Sequence, residues 1–237
     1  MSGILYIVAT PIGNLEDITL RALETLEKVD IIACEDTRVT TKLLNHYSIK
    51  KPLVSYHQHS RITKVDYLIS ELKKGKNIAL VTDAGTPGVS DPGNYLIDKL
   101  LNEQIAVIPV PGPSALGAII SVAGIDLQKF IFLGFPPHKK GRETFFKEVA
   151  GFKIPVIYFE SPHRVVKNLE LLSVIASEAK QSRDCHGLRP RKDINVIIGR
   201  ELTKMFEEII RGSVEEVLGY FEKNPDKVKG EFVIIVY

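Results

Sequence analysis

Cysteine is scarce in this chain of 237 residues: Cys34 and Cys185 are its only two, far apart and in no CxxC pair. Neither a disulfide framework nor a cysteine-built zinc site is indicated, and the composition suits a reducing cytoplasm. Long apolar runs are missing as well. No stretch approaches a bilayer span, and the opening MSGILYIVATP lacks the basic, apolar and small-residue sections of a signal peptide, so a cytoplasmic protein without a membrane partner is expected. The fingerprints GxxxxGK[ST] and GxGxxG do not occur, which removes the P-loop and dinucleotide readings. Charge of one sign does not dominate either. The 31 Lys and Arg against 29 Asp and Glu leave a net +2, too little by itself to indicate nucleic acid. Positive charge is only local, in HKKGR (138–142) and RDCHGLRPRK (183–192). Such clusters are more often solvated loops, with RNA contact as the second reading.

What the chain does have is a 44% hydrophobic content and enough length for one large α/β domain or two lobes. Its first half alternates β-branched runs with helical periodicity. The strands expected are ILYIVA (4–9), DIIAC (30–34), PLVSY (52–56), NIALVT (77–82) and IAVIPV (105–110). Between them, Val65, Leu68, Ile69 and Leu72 share a helix face that Gly75 stops, and Leu96, Ile97, Leu100 and Leu101 share another. These units predict a parallel five-stranded lobe over residues 1–112.

Two prolines in PGPS (111–114) mark the junction to a second lobe over 113–237. Its strands are expected at FIFLG (130–134), PVIYF (155–159), NVIIG (195–199), MFEEII (205–210) and EFVIIV (231–236). The short ELTK connection predicts a hairpin, hence a mixed sheet. Ser213 and Glu216 have capping-box spacing. Residues 173–192 show no sustained period and carry much charge, so a poorly ordered surface insertion is expected, centred on 174–191.

Ligands of parallel sheets lie beyond the carboxyl ends of the strands, where four polar segments fall: TPIGN, EDTR, DAGTPGVSDPG and PGPS. The third combines the small Ala84, Gly85 and Gly88 with Ser90, Asp91 and Pro92 placed as a helix start. Alone it reads rather as a strand-to-helix turn; four such loops at one edge shift the balance toward a ligand cleft. Asp83 and Asp91 disfavour a polyphosphate and suit a cationic or zwitterionic ligand. His57 and His59 lack a third ligand nearby, so no metal is expected. SPHR (161–164) follows Glu160 and invites a hydrolase reading, but no GxSxG elbow is present; a helix start or a cleft lining remains.

Together, VATPIGNLEDIT (8–19), CEDTR (34–38), VTDAGTPGVSDPG (81–93), PVPGPSA (109–115), FLGFPP (132–137), YFESPHR (158–164) and RELTK (200–204) resemble the tetrapyrrole methylase superfamily over nearly the whole chain. The resemblance implies a two-lobed α/β fold, usually a homodimer, with S-adenosylmethionine in a cleft between the lobes. EDTR, SPHR and RELTK resemble its RNA branch. The reaction implied is methylation of the ribose 2′-oxygen of a cytidine in the decoding region of 16S rRNA, within the small ribosomal subunit or a late precursor.

Matching positions imply cofactor contacts at Pro11, Asp83, Ala84, Gly85, Thr86, Val89, Ser114 and Ala115, joined by Leu202 and Gly230 from the second lobe. For the reaction, Glu201 and Asp36 are candidate bases, and Arg38, Arg164 and Arg200 are candidates for gripping phosphate or orienting ribose. That Glu201 and Arg200 simply form ion pairs at a strand end is the alternative. Lys139, Lys140 and Arg142, with Arg189, Arg191 and Lys192, are candidate phosphate contacts. Two departures from the pattern stand out. The distance from ESPHR to RELTK is long, and Tyr237 directly follows the last strand where relatives commonly continue into a helical extension; if that extension holds RNA, affinity here is either weaker or supplied by other surfaces. A corrin-precursor methyltransferase and a non-catalytic RNA-binding relative are the competing readings.

Overall fold

The computed structural model describes residues 2–56, 62–91, 93–181 and 194–237. His57, His59, Pro92, Cys185 and the cations Arg183, Arg189, Arg191 and Lys192 lie outside the described residues. The chain forms two compact units, Met1–Ala115 and Leu116–Tyr237, dividing three residues beyond the proline-marked junction.

In the first unit β1 (Leu5–Val8), α1 (Leu20–Lys28), β2 (Ile31–Cys34), α2 (Thr37–His46) and β3 (Leu53–Ser55) are followed by α3 (Ile62–Lys73), β4 (Ile78–Val81), α4 (Asn94–Asn102) and β5 (Val107–Val110). All strand pairings are parallel, in the order β3-β2-β4-β1-β5. Every residue of β2 and β4 is buried, which is why those runs read as continuous apolar stretches. Alternating side chains feed two cores. Leu5, Leu80, Leu68 and Leu100 meet on one face with α3 and α4, and Val8, Ile32, Leu26 and Leu43 on the other with α1 and α2. The helix face expected on α4 is narrower than its spacing suggested: Leu96 and Leu100 are fully buried but Leu101 is 61% exposed. Nor do Ser90 and Asp91 open this helix. Gly93, which has no side chain to donate or accept, is its N-cap, and the Asp91 carboxylate is engaged with Thr82.

The second unit continues through α5 (Ala115–Val122), β6 (Ile131–Phe132), α6 (Arg142–Gly151), β7 (Val156–Glu160) and α7 (Val165–Gln181). It ends with β8 (Asn195–Arg200), β9 (Glu208–Ser213), α8 (Val214–Lys223) and β10 (Phe232–Val236). Its sheet runs β6-β7-β10-β8-β9, with only β6 and β7 parallel. The β8–β9 hairpin forms as its short connection required. Its second strand starts at Glu208, not Met205, because Arg200 pairs with Glu208 and residues 201–207 make the turn. The capping box is present: Glu216 N–H donates to Ser213 Oγ at 3.2 Å, and Ser213 N–H to Glu216 Oε2 at 2.8 Å.

The expected insertion is corrected in its first half. α7 runs on to Gln181, with Leu172, Ile175 and Ala176 buried at helical spacing against the core. Among the described residues no helix is long and apolar enough to cross a membrane. The second core centres on Phe146 and Tyr158, both fully buried and in edge contact at 5.8 Å. Phe146→Ala should therefore cost about 3–5 kcal/mol, read as a lower urea midpoint at unchanged slope.

Candidate functional site

The carboxyl ends of β1, β2, β4 and β5 carry four loops, and hydrogen bonds lace them into one rim. Thr10 and Gly85 exchange backbone bonds of 2.9 and 3.0 Å, joining the loop after β1 to the loop after β4. The buried Thr10 hydroxyl donates to the Thr82 carbonyl at 3.0 Å. Thr86 Oγ1 donates to the Pro113 carbonyl at 3.2 Å, fastening the β4 loop to the β5 loop. The Asp36 amide donates to Asp83 Oδ1 at 3.1 Å, bringing in the loop after β2. The first-unit positions Pro11, Asp83, Ala84, Gly85, Thr86, Val89, Ser114 and Ala115 all lie on this rim or beside it.

Gly85 shows why the β4 loop needs its small residues. Its φ is +84°, and an added Cβ would sit 3.4 Å from Ile12 Cγ2 and 3.8 Å from the Pro113 carbonyl. Asp83, Ala84 and Val89 are exposed along the same loop.

The rim is negative. Thr82 Oγ1 donates to Glu35 Oε2 at 3.1 Å. Burial, then the charges of Glu35 and Asp83, push the Asp91 carboxyl up to about 6 against a hydrogen bond with Thr82. Burial raises Asp83 as well, helped by Glu35 and Asp36 and opposed by the Asp36 amide. Among the described residues no His, Cys, Asp or Glu group is arranged to hold a metal ion. The exposed Asp83 with the half-buried Glu35 and Asp91, together with the glycine cradle, fit a cationic ligand that touches backbone.

Asp36 caps α2 by accepting from the Arg38 amide at 2.8 Å, and its carboxylate also takes the Arg38 guanidinium at 2.6 Å. Bonding by the Arg38 side chain and amide holds Asp36 well below the usual carboxylate range. Arg38 stays 86% exposed.

In the second unit Glu201 and Arg200 each form an ion pair at the end of β8, as the alternative reading expected, with Lys204 at 2.9 Å and with Glu208 at 3.9 Å. Glu201 accepts from Lys204 Nζ and from the Glu231 amide, both at 2.9 Å. Burial would raise its carboxyl, but these bonds and the Lys204 charge bring it below the ordinary value. Arg200 is 8% exposed, and its guanidinium donates to the carbonyls of Lys227 (2.7 Å), Lys229 (3.1 Å) and Phe206 (3.0 Å). Leu202 is buried in the turn between Glu201 and Thr203, which both have positive φ. Gly230, at φ +90°, leaves room for the Glu201 carboxyl, whose carbon an added Cβ would approach to 2.3 Å.

The SPHR segment is a clamp. Arg164 pairs with Glu160 at 3.2 Å and donates to Ser161 Oγ at 3.1 Å and to the Pro136 carbonyl at 3.0 Å. Glu160, 2% exposed, also accepts from the Ser161 amide at 2.7 Å and from Asn168. This ties the FPP loop to the start of α7. Lys139 and Lys140 are exposed beyond it, and Arg142 is half-buried at the start of α6.

Three rim residues escaped sequence reasoning: Thr10, Thr82 and Glu35. Only Glu35, a carboxylate directly following a buried strand, carried a usable signal.

Residues 4–218 match the tetrapyrrole (corrin/porphyrin) methylase family. A protein of Halalkalibacterium halodurans named ribosomal RNA small subunit methyltransferase I is 44% identical over 235 residues, covering 99% of this chain and 75% of the relative. The Thermotoga maritima protein of the same name is 43% identical over 235 residues, covering 99% and 98%. Among solved structures, cobalt precorrin-4 methyltransferase, a cobalamin biosynthetic enzyme, matches with a TM-score of 0.66 over 98% of this chain and 94% of that one. At 18% identity this is a likeness of fold alone.

Asp91 holds its proton up to about 6 in the folded chain, against the ordinary 3.8. Between those values the native state binds more protons than the unfolded state, so this group makes stability fall as pH rises through the window. Asp91→Asn should remove that loss. Its urea midpoint minus that of the wild type should increase from about pH 4 to about pH 7, and a pH-independent difference would refute the assignment.

Proposed function

The chain belongs to the tetrapyrrole (corrin/porphyrin) methylase family, and we propose that within it the chain is a cytoplasmic, homodimeric S-adenosylmethionine-dependent methyltransferase of 16S rRNA. Its product is the 2′-O-methylated ribose of a cytidine in the decoding region of the small subunit or its late precursor. The two units correspond to the two lobes of one methyltransferase domain. The observation that carries the donor reading is the laced rim of the first unit, whose glycine cradle lies among the carboxylates of Glu35, Asp83 and Asp91.

Pro11, Asp83, Ala84, Gly85, Thr86, Val89, Ser114 and Ala115 hold the donor. When bound it supplies an electrophilic methyl carbon on a sulfonium. The rim's negative potential favours that cation, and the Thr10–Gly85 bridge fixes the backbone it rests on. The names of the relatives support ribosomal RNA as acceptor. A ribose hydroxyl attacks well only as it loses its proton, so a base or a cation near it assists.

Asp36 and Glu201 are tested by substitution: if Asp36→Asn and Glu201→Gln both keep the full single-turnover rate, neither is the base. Of the three arginines, Arg38 is the one with an exposed guanidinium and is assigned to phosphate. Lys139, Lys140 and Arg142 serve the RNA backbone as well.

Isotope-labelled donor, small subunits lacking the modification and mass-spectrometric mapping decide the function. Label on a cytidine ribose is expected. Label on a base, or transfer to a corrin precursor but not to the subunit, overturns the proposal. Replacing Lys139, Lys140 and Arg142 together by Ala should weaken subunit binding and flatten its log–log salt slope by about two, at roughly 0.7 per contact. An unchanged slope removes this loop from RNA binding.

A further inference from the structure

Beside the laced rim the first unit contains a pocket of about 180 Å³ with Pro11, Leu15, Val39, Leu43, Lys42 and Asp83 in its lining. Its apolar members come from two elements, the short 3₁₀ turn Leu15–Asp17 and α2. Leu15 and Val39 are each 38% exposed, an unusual expense of apolar surface on residues lining one cavity. The cavity is braced without a ligand. The Tyr47 hydroxyl, at the end of α2, donates to the Leu15 carbonyl at 2.6 Å, and the Asn14 side chain caps the turn.

Size and position restrict the occupant. Pockets enclosing whole drug-sized ligands measure roughly 300–1,000 Å³, so this one takes a single ring system and not an entire methyl donor. Pro11 and Asp83 belong both to the pocket lining and to the proposed donor rim. The remaining donor positions extend toward β5, where Thr86 is fastened to Pro113. Thr10 and Thr82 of the rim line the pocket too, so a ring held against Leu15, Val39 and Leu43 meets the donor across these shared residues, the adjacency that methyl transfer requires of an acceptor. Lys42, exposed in the lining, and Arg38 stand one turn apart on α2, spaced to meet the backbone of a polyanion.

We infer that this pocket receives the unstacked base of the RNA nucleotide that accepts the methyl group, with Leu15 and Val39 as its apolar walls and Lys42 toward the phosphate. Proteins that read single-stranded RNA commonly splay an unstacked base outward and hold it against side chains. The inference rests on the RNA methyltransferase reading.

Val39→Trp fills the pocket from the surface of α2, and Lys42→Ala removes only the cation. Donor affinity is measured by calorimetry and methyl transfer by single turnover on small subunits. For Val39→Trp the expected result is donor affinity within about twofold of wild type and a fall of about 100-fold in kcat/KM for the subunit. Lys42→Ala, at an exposed position that tolerates truncation, should raise KM for the subunit about tenfold with kcat retained, the gap narrowing at high salt. Lost donor affinity in Val39→Trp would make the pocket the donor's and overturn the inference, as would full activity of both variants beside an active wild type. A wild type that binds the donor but methylates no RNA overturns the functional reading and this inference together.

Discussion

Two backbone hydrogen bonds between Thr10 and Gly85 hold together the edge of the first unit where four loops meet as one surface. Neither residue lies within a strand, yet each closes the line of adjacent strands, β1 and β4, by one more pairing beyond the sheet. From that fixed bridge the other ties follow. Thr82 is held close enough for the Thr10 hydroxyl to reach its carbonyl, Thr86 is carried to Pro113, and Asp83 to the Asp36 amide. Individually such bonds contribute about 0.5–1.5 kcal/mol. Their value is order in the absence of a ligand, since a rim already arranged does not lose that conformational freedom again on binding.

The same rim collects carboxylates in a way that works against stability. Burial raises the proton affinity of Asp83 and Asp91, and the Glu35 charge adds to it at both, joined by Asp36 at Asp83 and by Asp83 at Asp91. A folded protein with no ligand to bind has little reason to place such groups together, and functional sites are where local rules are broken at a cost borne by the scaffold. The second unit shows the opposite treatment. Its buried charges, Glu160 and Arg200, are surrounded by donors and acceptors that satisfy them, so they serve as anchors.

Much of the fold was legible because its signals are local. The fully buried β2, β4 and β10 read as apolar runs, Ser213 and Glu216 announced α8 by spacing alone, and the ELTK connection was too short for anything but a hairpin. What the sequence concealed depends on distant partners. Arg164 and Arg200 look like cations offered to a phosphate until the carbonyls of Pro136, Lys227, Lys229 and Phe206 are seen to accept from them. Backbone carbonyls have no residue signature, so no reading of side-chain types could have found those bonds. The extent of α7 was hidden for a different reason: Ser173, Ser177 and Glu178 dilute the period that Leu172, Ile175 and Ala176 still satisfy. The pairing of Glu35 with Thr82 spans two loops 47 positions apart in sequence and had no local trace.

In ESPHR and RELTK, two motifs that carried the resemblance to an RNA-modifying branch, the arginines are engaged with backbone carbonyls. Arg164 fixes the loop that bears Phe135, Lys139 and Lys140 by its bond to Pro136, and Arg200 fixes the turn that bears Met205 and Phe206 by its bond to Phe206. Phe135, Met205 and Phe206 are 54%, 91% and 67% exposed, large surfaces that a loose loop would fold inward or leave disordered. A guanidinium spreads its donors in a rigid fork, so one side chain can bind several acceptors at set angles, which a lysine cannot do. The arginines in these motifs are thus explained by what they hold in place: flexible segments displayed at a fixed position, whose exposed side chains are the ones left to meet a partner.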